Sequence, residues 1–185
     1  MNMTHLDADK VFREADLLVS DVEVAAAIAR MAEEITDCLK DADPVLLCIM
    51  NGGMIFAGQL LTRLRFPLQV DYVHATRYGH ALNGASLNWS VRPQLDLKGR
   101  TVLLLDDILD EGVTLAAIAD YCRQQGATRV LMAALVEKLH LRKVTPGMTA
   151  DFTGIEVGDR FLFGYGLDYK GYWRNAPGIY AVKGM

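Results

Sequence analysis

The chain lacks any run approaching the roughly 18 consecutive apolar residues of a membrane-spanning helix, so a membrane location is not expected. It is poor in cysteine. Cys38, Cys48 and Cys122 are far apart and form no CxxC pair, which excludes a disulfide framework or a cysteine knuckle for metal. They are expected to be reduced thiols in the core. A basic excess is also missing: 19 Lys and Arg against 23 Asp and Glu leave a formal net charge of -4, a poor balance for a nucleic-acid binder. The opening MNMTHLDADK has no apolar core behind basic residues, so no secretion signal is expected, and the cytoplasm is the expected compartment. Repeats, low-complexity tracts and long linkers are absent. What remains is a chain of 185 residues, 51% of them hydrophobic, enough for one domain with a real core.

Periodicity divides that domain into alternating elements. Ser20 and Glu23 have capping-box spacing, and Val24, Ile28, Met31, Ile35 and Leu39 follow at helical intervals, predicting an amphipathic helix that ends before Pro44. The run VLLCIM over 45–50 predicts a buried strand stopped by Asn51-Gly52-Gly53, with a helix from about Met54 to Leu64. Residues 68–78 alternate as a strand, and a second β-like run surrounds Trp89 and Val91. The polar stretch between them, over 79–88, contains Asn83-Gly84, a strong turn signal, and reads either as a long hairpin or as a lid.

The next segment carries the chemistry. TVLLLD over 101–106 predicts a buried strand. A helix follows with Leu115, Ile118, Ala119 and Cys122 on one face and Gly126 as its stop, and then comes the apolar run Val130 to Val136. Strand, helix and strand in so few residues make a βαβ unit, hence an α/β fold with a mainly parallel sheet flanked by helices. Short β-like pieces at 152–157, 161–163 and 179–182 predict a small lobe over the sheet's edge.

In such folds ligands sit outside the carboxyl ends of the strands. There the chain reads Asp106-Asp107-Ile108-Leu109-Asp110-Glu111-Gly112-Val113-Thr114. A helix N-terminus favours a phosphate. Gly112 admits a close backbone approach, and Thr114 adds a hydroxyl. The carboxylates would repel a bare phosphate, but they accept hydrogen bonds from sugar hydroxyls and can hold magnesium, usually through water. Acids beside a phosphate cradle suit a phosphorylated sugar.

The segment Val102 to Leu115, VLLLDDILDEGVTL, resembles the signature of the type I phosphoribosyltransferases for phosphoribosyl pyrophosphate (PRPP). The resemblance runs from about residue 15 to 183, and FLFGYGLDYKGYWRN is similar to the purine site of the hypoxanthine-guanine branch. It implies the type I fold as one domain over 1–185, with a core of about 15–140 and a hood from about 1–14 and 141–185. It also implies magnesium-dependent purine salvage: hypoxanthine or guanine plus PRPP gives IMP or GMP plus pyrophosphate, in a homodimer or homotetramer. On this resemblance Asp106 and Asp107 hold the ribose hydroxyls and, with Asp168, metal. Asp110 is the general base or acid near purine N7. Asp110, Glu111, Gly112, Val113 and Thr114 bind the 5-phosphate. Asn51 and Gly52 form the pyrophosphate loop, where the family often has Lys or Arg and a cis non-proline peptide, and Arg174 joins them. Lys138, Phe161, Leu162 and Asp168 surround the base. Arg77 and Tyr78 belong to the lid, where the family carries Ser-Tyr. Glu111 and Val113 depart from the common pattern, but backbone donors survive both changes.

Three rivals compete with this reading. A xanthine- or adenine-preferring transferase is one, although Lys138 suits a carbonyl acceptor better than an amino group. A regulator that senses PRPP or nucleotides is another. Such proteins tend to lose the catalytic Asp or gain a basic segment, and neither change is visible here. A magnesium-dependent phosphatase would need a DxD-like pair, whereas Asp106 and Asp107 are adjacent.

Overall fold

The computed structural model describes residues 3–77 and 87–184. In chain order its elements are α1 (His5–Glu14), β1 (Asp16–Val19), α2 (Asp21–Leu39), β2 (Val45–Ile49), α3 (Gly53–Leu61), β3 (Gln69–Arg77), β4 (Leu87–Val91), β5 (Thr101–Leu109), α4 (Val113–Gln124), β6 (Arg129–Leu139), β7 (Phe152–Gly158), β8 (Leu162–Phe163) and β9 (Ile179–Ala181).

Six strands form one sheet in the order β4-β3-β2-β5-β6-β7. Every neighbouring pair is parallel except β3 with β4, the antiparallel edge hairpin. The period of two sorts the core. Leu46, Cys48, Leu103 and Leu105 face α2 and α3, while Val45, Leu47, Val102 and Leu104 face α4. The four central residues of β5, Val102 to Leu105, have 0% exposure. Each such side chain contributes about 1.5–3 kcal/mol relative to an exposed one. β5 is therefore rigidly held, and so is whatever it carries at its carboxyl end. Ser20 caps α2 through the expected box: its hydroxyl accepts the Glu23 N–H at 3.3 Å, and Glu23 accepts the Ser20 N–H at 2.8 Å.

A second sheet, β1-β9-β8, is antiparallel and joins residues 16–19 to 179–181. Its own apolar cluster contains Phe163, Tyr169 and Val182, with Phe12, Trp173 and Tyr180 packed on it. Phe12 of α1 stacks on Trp173 with ring centroids 4.4 Å apart, and Trp173 Nε1 donates to Ala8 O at 2.6 Å.

Several boundaries differ from expectation. α3 stops at Leu61, three residues early, and a turn covers Thr62 and Arg63. β5 does not end at Asp106 but continues through Asp107 to Leu109, because it keeps pairing with β6 as far as Leu109–Glu137. β7 was expected in the peripheral lobe; it instead extends the main sheet beside β6. Cys48 and Cys122 are buried, but Cys38 is exposed, on the outer side of α2 near the Arg129 guanidinium. The hairpin reading of 68–91 agrees with the β3–β4 pairing. The lid reading covers 79–88 with Arg77 and Tyr78: residues 78–86 lie outside the described residues, Leu87 and Asn88 open β4, and Arg77 is placed only as the last backbone position of β3.

Candidate active site

β2 leads outward to β3 in one direction along the sheet, and β5 leads outward to β6 in the other. The crevice between the ends of β2 and β5 is thus the switch point where such sheets bind ligands. A cavity of about 320 Å³ lies there, lined by Asn51, Gly52, Asp106, Asp107, the 110–114 loop and Arg174. A second cavity of about 180 Å³ adjoins it, lined by Asp110, Lys138, Phe161, Leu162 and Asp168. The two share Asp107, Ile108, Asp110 and Asp168.

The larger cavity combines the N-terminus of α4 with an acidic wall. Gly112 has φ +79°, a left-handed turn that lets the chain leave β5 and enter α4 at once. Among the described residues no side chain caps α4, so its first N–H groups face the cavity. The loop before α4 is braced from behind: Val144 N donates to Glu111 O at 2.7 Å, and Lys143 Nζ to Leu109 O at 3.0 Å. Opposite, the Met50–Asn51 peptide is cis, and any side chain at Gly52 would collide with the Asp107 carboxylate.

Adjacent strand residues ordinarily face opposite ways, yet at the open end of β5 both acids line this cavity. Asp106 Oδ1 accepts the Asp107 N–H at 3.0 Å. Burial, reinforced by the charge of Asp107, pushes the Asp106 carboxyl well above its usual range. Burial pushes Asp107 up as well, against the lowering effect of the Asp106 hydrogen bond and of Arg174. Arg174 Nη1 lies 3.9 Å from Asp107, its Nη2 is 2.5 Å from Asp168 Oδ1, and Gly166 O accepts from it. Asp168 Oδ2 accepts the Gly171 N–H at 2.7 Å, so both of its oxygens are engaged.

The smaller cavity is flanked by an ion-pair network. Lys138 Nζ is 2.9 Å from Asp110 Oδ2 and 4.0 Å from Asp159, and Arg142 holds Asp159 through two hydrogen bonds. His140 Nε2 is 2.7 Å from Asp110 Oδ1. Burial raises the Asp110 carboxyl, but the hydrogen bonds of Lys138 and His140 outweigh it and hold the group below its ordinary value. Arg142 holds Asp159 down at about 2. Asp110, His140 and Asp159 bring ligand atoms within 4.8 Å of one another. Lys138 and Arg142 already neutralise both carboxylates, so this group is an ion-pair network and not a cation site. Phe161 is 43% exposed and lines this cavity, and its ring packs nearly perpendicular to that of Tyr169 with centroids 5.4 Å apart.

The structure therefore brings Asn51, Gly52, Asp106, Asp107, Asp110 to Thr114, Lys138, Phe161, Leu162, Asp168 and Arg174 to one cleft. Sequence reasoning missed His140, Arg142 and Asp159. The signal for His140 was available: Lys138 and His140 are two apart on an extended segment and so share a face.

Residues 18–170 match the family model described as a phosphoribosyl transferase domain. A hypoxanthine-guanine phosphoribosyltransferase of Aquifex aeolicus is 31% identical over 92% of this chain and 96% of its own. One from Bacillus subtilis is 30% identical over 90% and 92%. A hypoxanthine phosphoribosyltransferase structure from Staphylococcus aureus superposes with TM-score 0.86 at 22% identity, covering 93% of this chain and 94% of that one, which speaks for the fold. No helix among the described residues is long and apolar enough to cross a membrane.

Proposed function

Because the chain belongs to the phosphoribosyl transferase family, we propose that its cleft moves the 5-phosphoribosyl group of PRPP onto hypoxanthine or guanine, yielding IMP or GMP and pyrophosphate. One observation carries the reading: a phosphate cradle and an aromatic-walled cavity meet at Asp110, so a sugar phosphate and a planar base can be held on either side of one carboxylate.

Each group has a task on this reading. The α4 N-terminus and the Thr114 hydroxyl take the 5-phosphate. Asp106 and Asp107 accept the ribose hydroxyls. Asn51, Gly52 and Arg174 face the pyrophosphate, whose departure leaves positive charge on the sugar carbon. Phe161 stacks on the base, Leu162 and Asp168 border its edge, and Lys138 donates to its exocyclic oxygen. As the base nitrogen bonds to the sugar carbon and the bond to pyrophosphate breaks, the proton released by the purine passes to Asp110.

Magnesium fits the donor set. Asp106 and Asp107 present hard carboxylate oxygens to the cleft, and a divalent cation relieves the crowding of charge that burial disfavours. When bound, it supplies positive charge against the pyrophosphate. Asp168 takes part in a second ion only if its pair with Arg174 parts. The homodimer or homotetramer of the family has support in Val70 and Tyr72, exposed apolar residues on one face of β3, and light scattering tests it. Cytoplasmic placement follows from the same reading. The deciding experiment is incubation with magnesium, PRPP and each of hypoxanthine, guanine, xanthine and adenine. IMP and GMP are the expected products, and formation of neither overturns the assignment.

A further inference from the structure

We propose that His140 is a positioning residue for Asp110, holding one carboxylate oxygen with a neutral imidazole so that the other is presented to the purine proton. The proposal rests on the transferase reading and adds to it a residue outside the motifs of the sequence.

The argument begins with the tautomer. Arg142 N donates to His140 Nδ1 at 3.1 Å. An accepting Nδ1 carries no proton, so in the neutral ring the hydrogen is on Nε2, 2.7 Å from Asp110 Oδ1. The imidazole is thus gripped at both nitrogens, and its side chain is only 5% exposed. Asp110 itself is 41% exposed at the mouth of the cleft. A carboxylate so placed turns freely unless something fixes it, and a buried, doubly bonded ring is a rigid fixture.

The partner on the other oxygen differs in kind. Lys138 reaches Asp110 Oδ2 on a four-carbon stem and lines the smaller cavity. A 6-oxopurine entering that cavity offers Lys138 a new acceptor in its exocyclic oxygen. Oδ2 is then released toward the purine, while His140 still holds Oδ1. The proton leaves the base nitrogen for Oδ2 as the glycosidic bond forms, and pyrophosphate departs with the electron pair of the broken bond. The titratable and charged groups around this carboxylate are Lys138 on β6 and the imidazole of His140 just after it, Arg142 beyond them, Asp159 after β7, and Asp107 and Glu111 on either side of Asp110 in the chain. Lys138 reaches Asp110 with a full positive charge, whereas the neutral His140 ring reaches it with an N–H alone.

The test compares His140→Phe, which keeps the ring volume but no donor, with His140→Gln, which returns an N–H near the Nε2 position. In His140→Phe we expect kcat to fall about 10- to 100-fold, the cost of a misplaced catalytic group. KM for PRPP should hold, and the acid limb of the kcat profile should move to higher pH. His140→Gln should recover most of the loss. Carbon NMR of the Asp110 carboxyl gives a readout independent of turnover: its titration should move upward in the Phe variant and return in Gln. Equal losses in the two variants, or an unmoved Asp110 titration in Phe, overturn the proposal. If the unaltered protein makes no nucleotide from any base, the transferase reading fails instead, and the Asp110 titration alone decides whether His140 governs that carboxylate.

Discussion

The cleft has two walls of different construction. The wall proposed for the sugar phosphate is a single stretch of chain, Asp106 to Thr114, delivered by a strand whose residues Val102 to Leu105 are wholly buried. The wall proposed for the base is gathered from β6, the loop after β7 and the 161–174 segment, and the last of these is held by aromatic contacts to α1. One wall inherits rigidity from main-chain pairing in the core, and the other depends on side chains brought from far apart. The first should tolerate little change and fail chemically. The second should fail by loosening.

The largest effect belongs where the walls meet. Asp110→Asn should lower kcat about 10²- to 10⁴-fold with PRPP binding by calorimetry nearly unchanged; near-normal turnover would remove Asp110 from the chemistry. Next, Trp173→Ala should cost about 2–3 kcal/mol in urea unfolding, since a partly buried ring and its hydrogen bond are lost. It should also raise KM for the base more than for PRPP. A loss confined to stability would show that the base wall does not need this clamp. Lys138→Ala should raise KM for guanine and hypoxanthine about tenfold, as loss of a charged hydrogen bond does, and leave PRPP alone. Equal effects on both substrates would erase the distinction between the walls.

The smallest effect sharpens the account of the acidic wall. The Asp106 and Asp107 carboxyls sit above their usual range. Between the ordinary carboxylate range and the raised one, the folded state binds more protons than the unfolded, so stability without a divalent cation falls as pH climbs through that window. Asp106→Asn should flatten this slope and raise Tm at neutral pH by about 2–4 °C, what roughly 1 kcal/mol does in a chain of this size. A steeper slope in the variant would mean the burial cost lies elsewhere.

The same division governs what could be read from the sequence. Asp106 to Thr114 is contiguous and sits where apolar run, glycine and helix periodicity all agree, so cradle and acids were visible together. The length of β5 was hidden, because carboxylates interrupt the apolar pattern while backbone pairing with β6 continues. β7 was misplaced because FTGIEVG reads as any short strand, and only its partner shows which sheet it joins. Likewise α1 was missed, although Thr4 and Asp7 form a capping box with Asp in the place usually taken by Glu or Gln. Cys38 was expected inside on residue type alone, yet it falls on the outward stripe of α2, next to Leu39 of the inward one. The Asp110–His140 contact needed the fold, since 30 residues separate its partners.

The pairing of Asp16 with Ala181 has a consequence for how the molecule is made. On the ribosome, β1 emerges early and has no partner until β9 follows, while β2, β5 and β6 all precede β9 in the chain. The nascent chain thus carries Asp106 to Thr114 before it has the 161–174 segment that completes the cleft, and the early strand idles with Leu17 and Leu18, still partly exposed in the finished fold, bare to its surroundings.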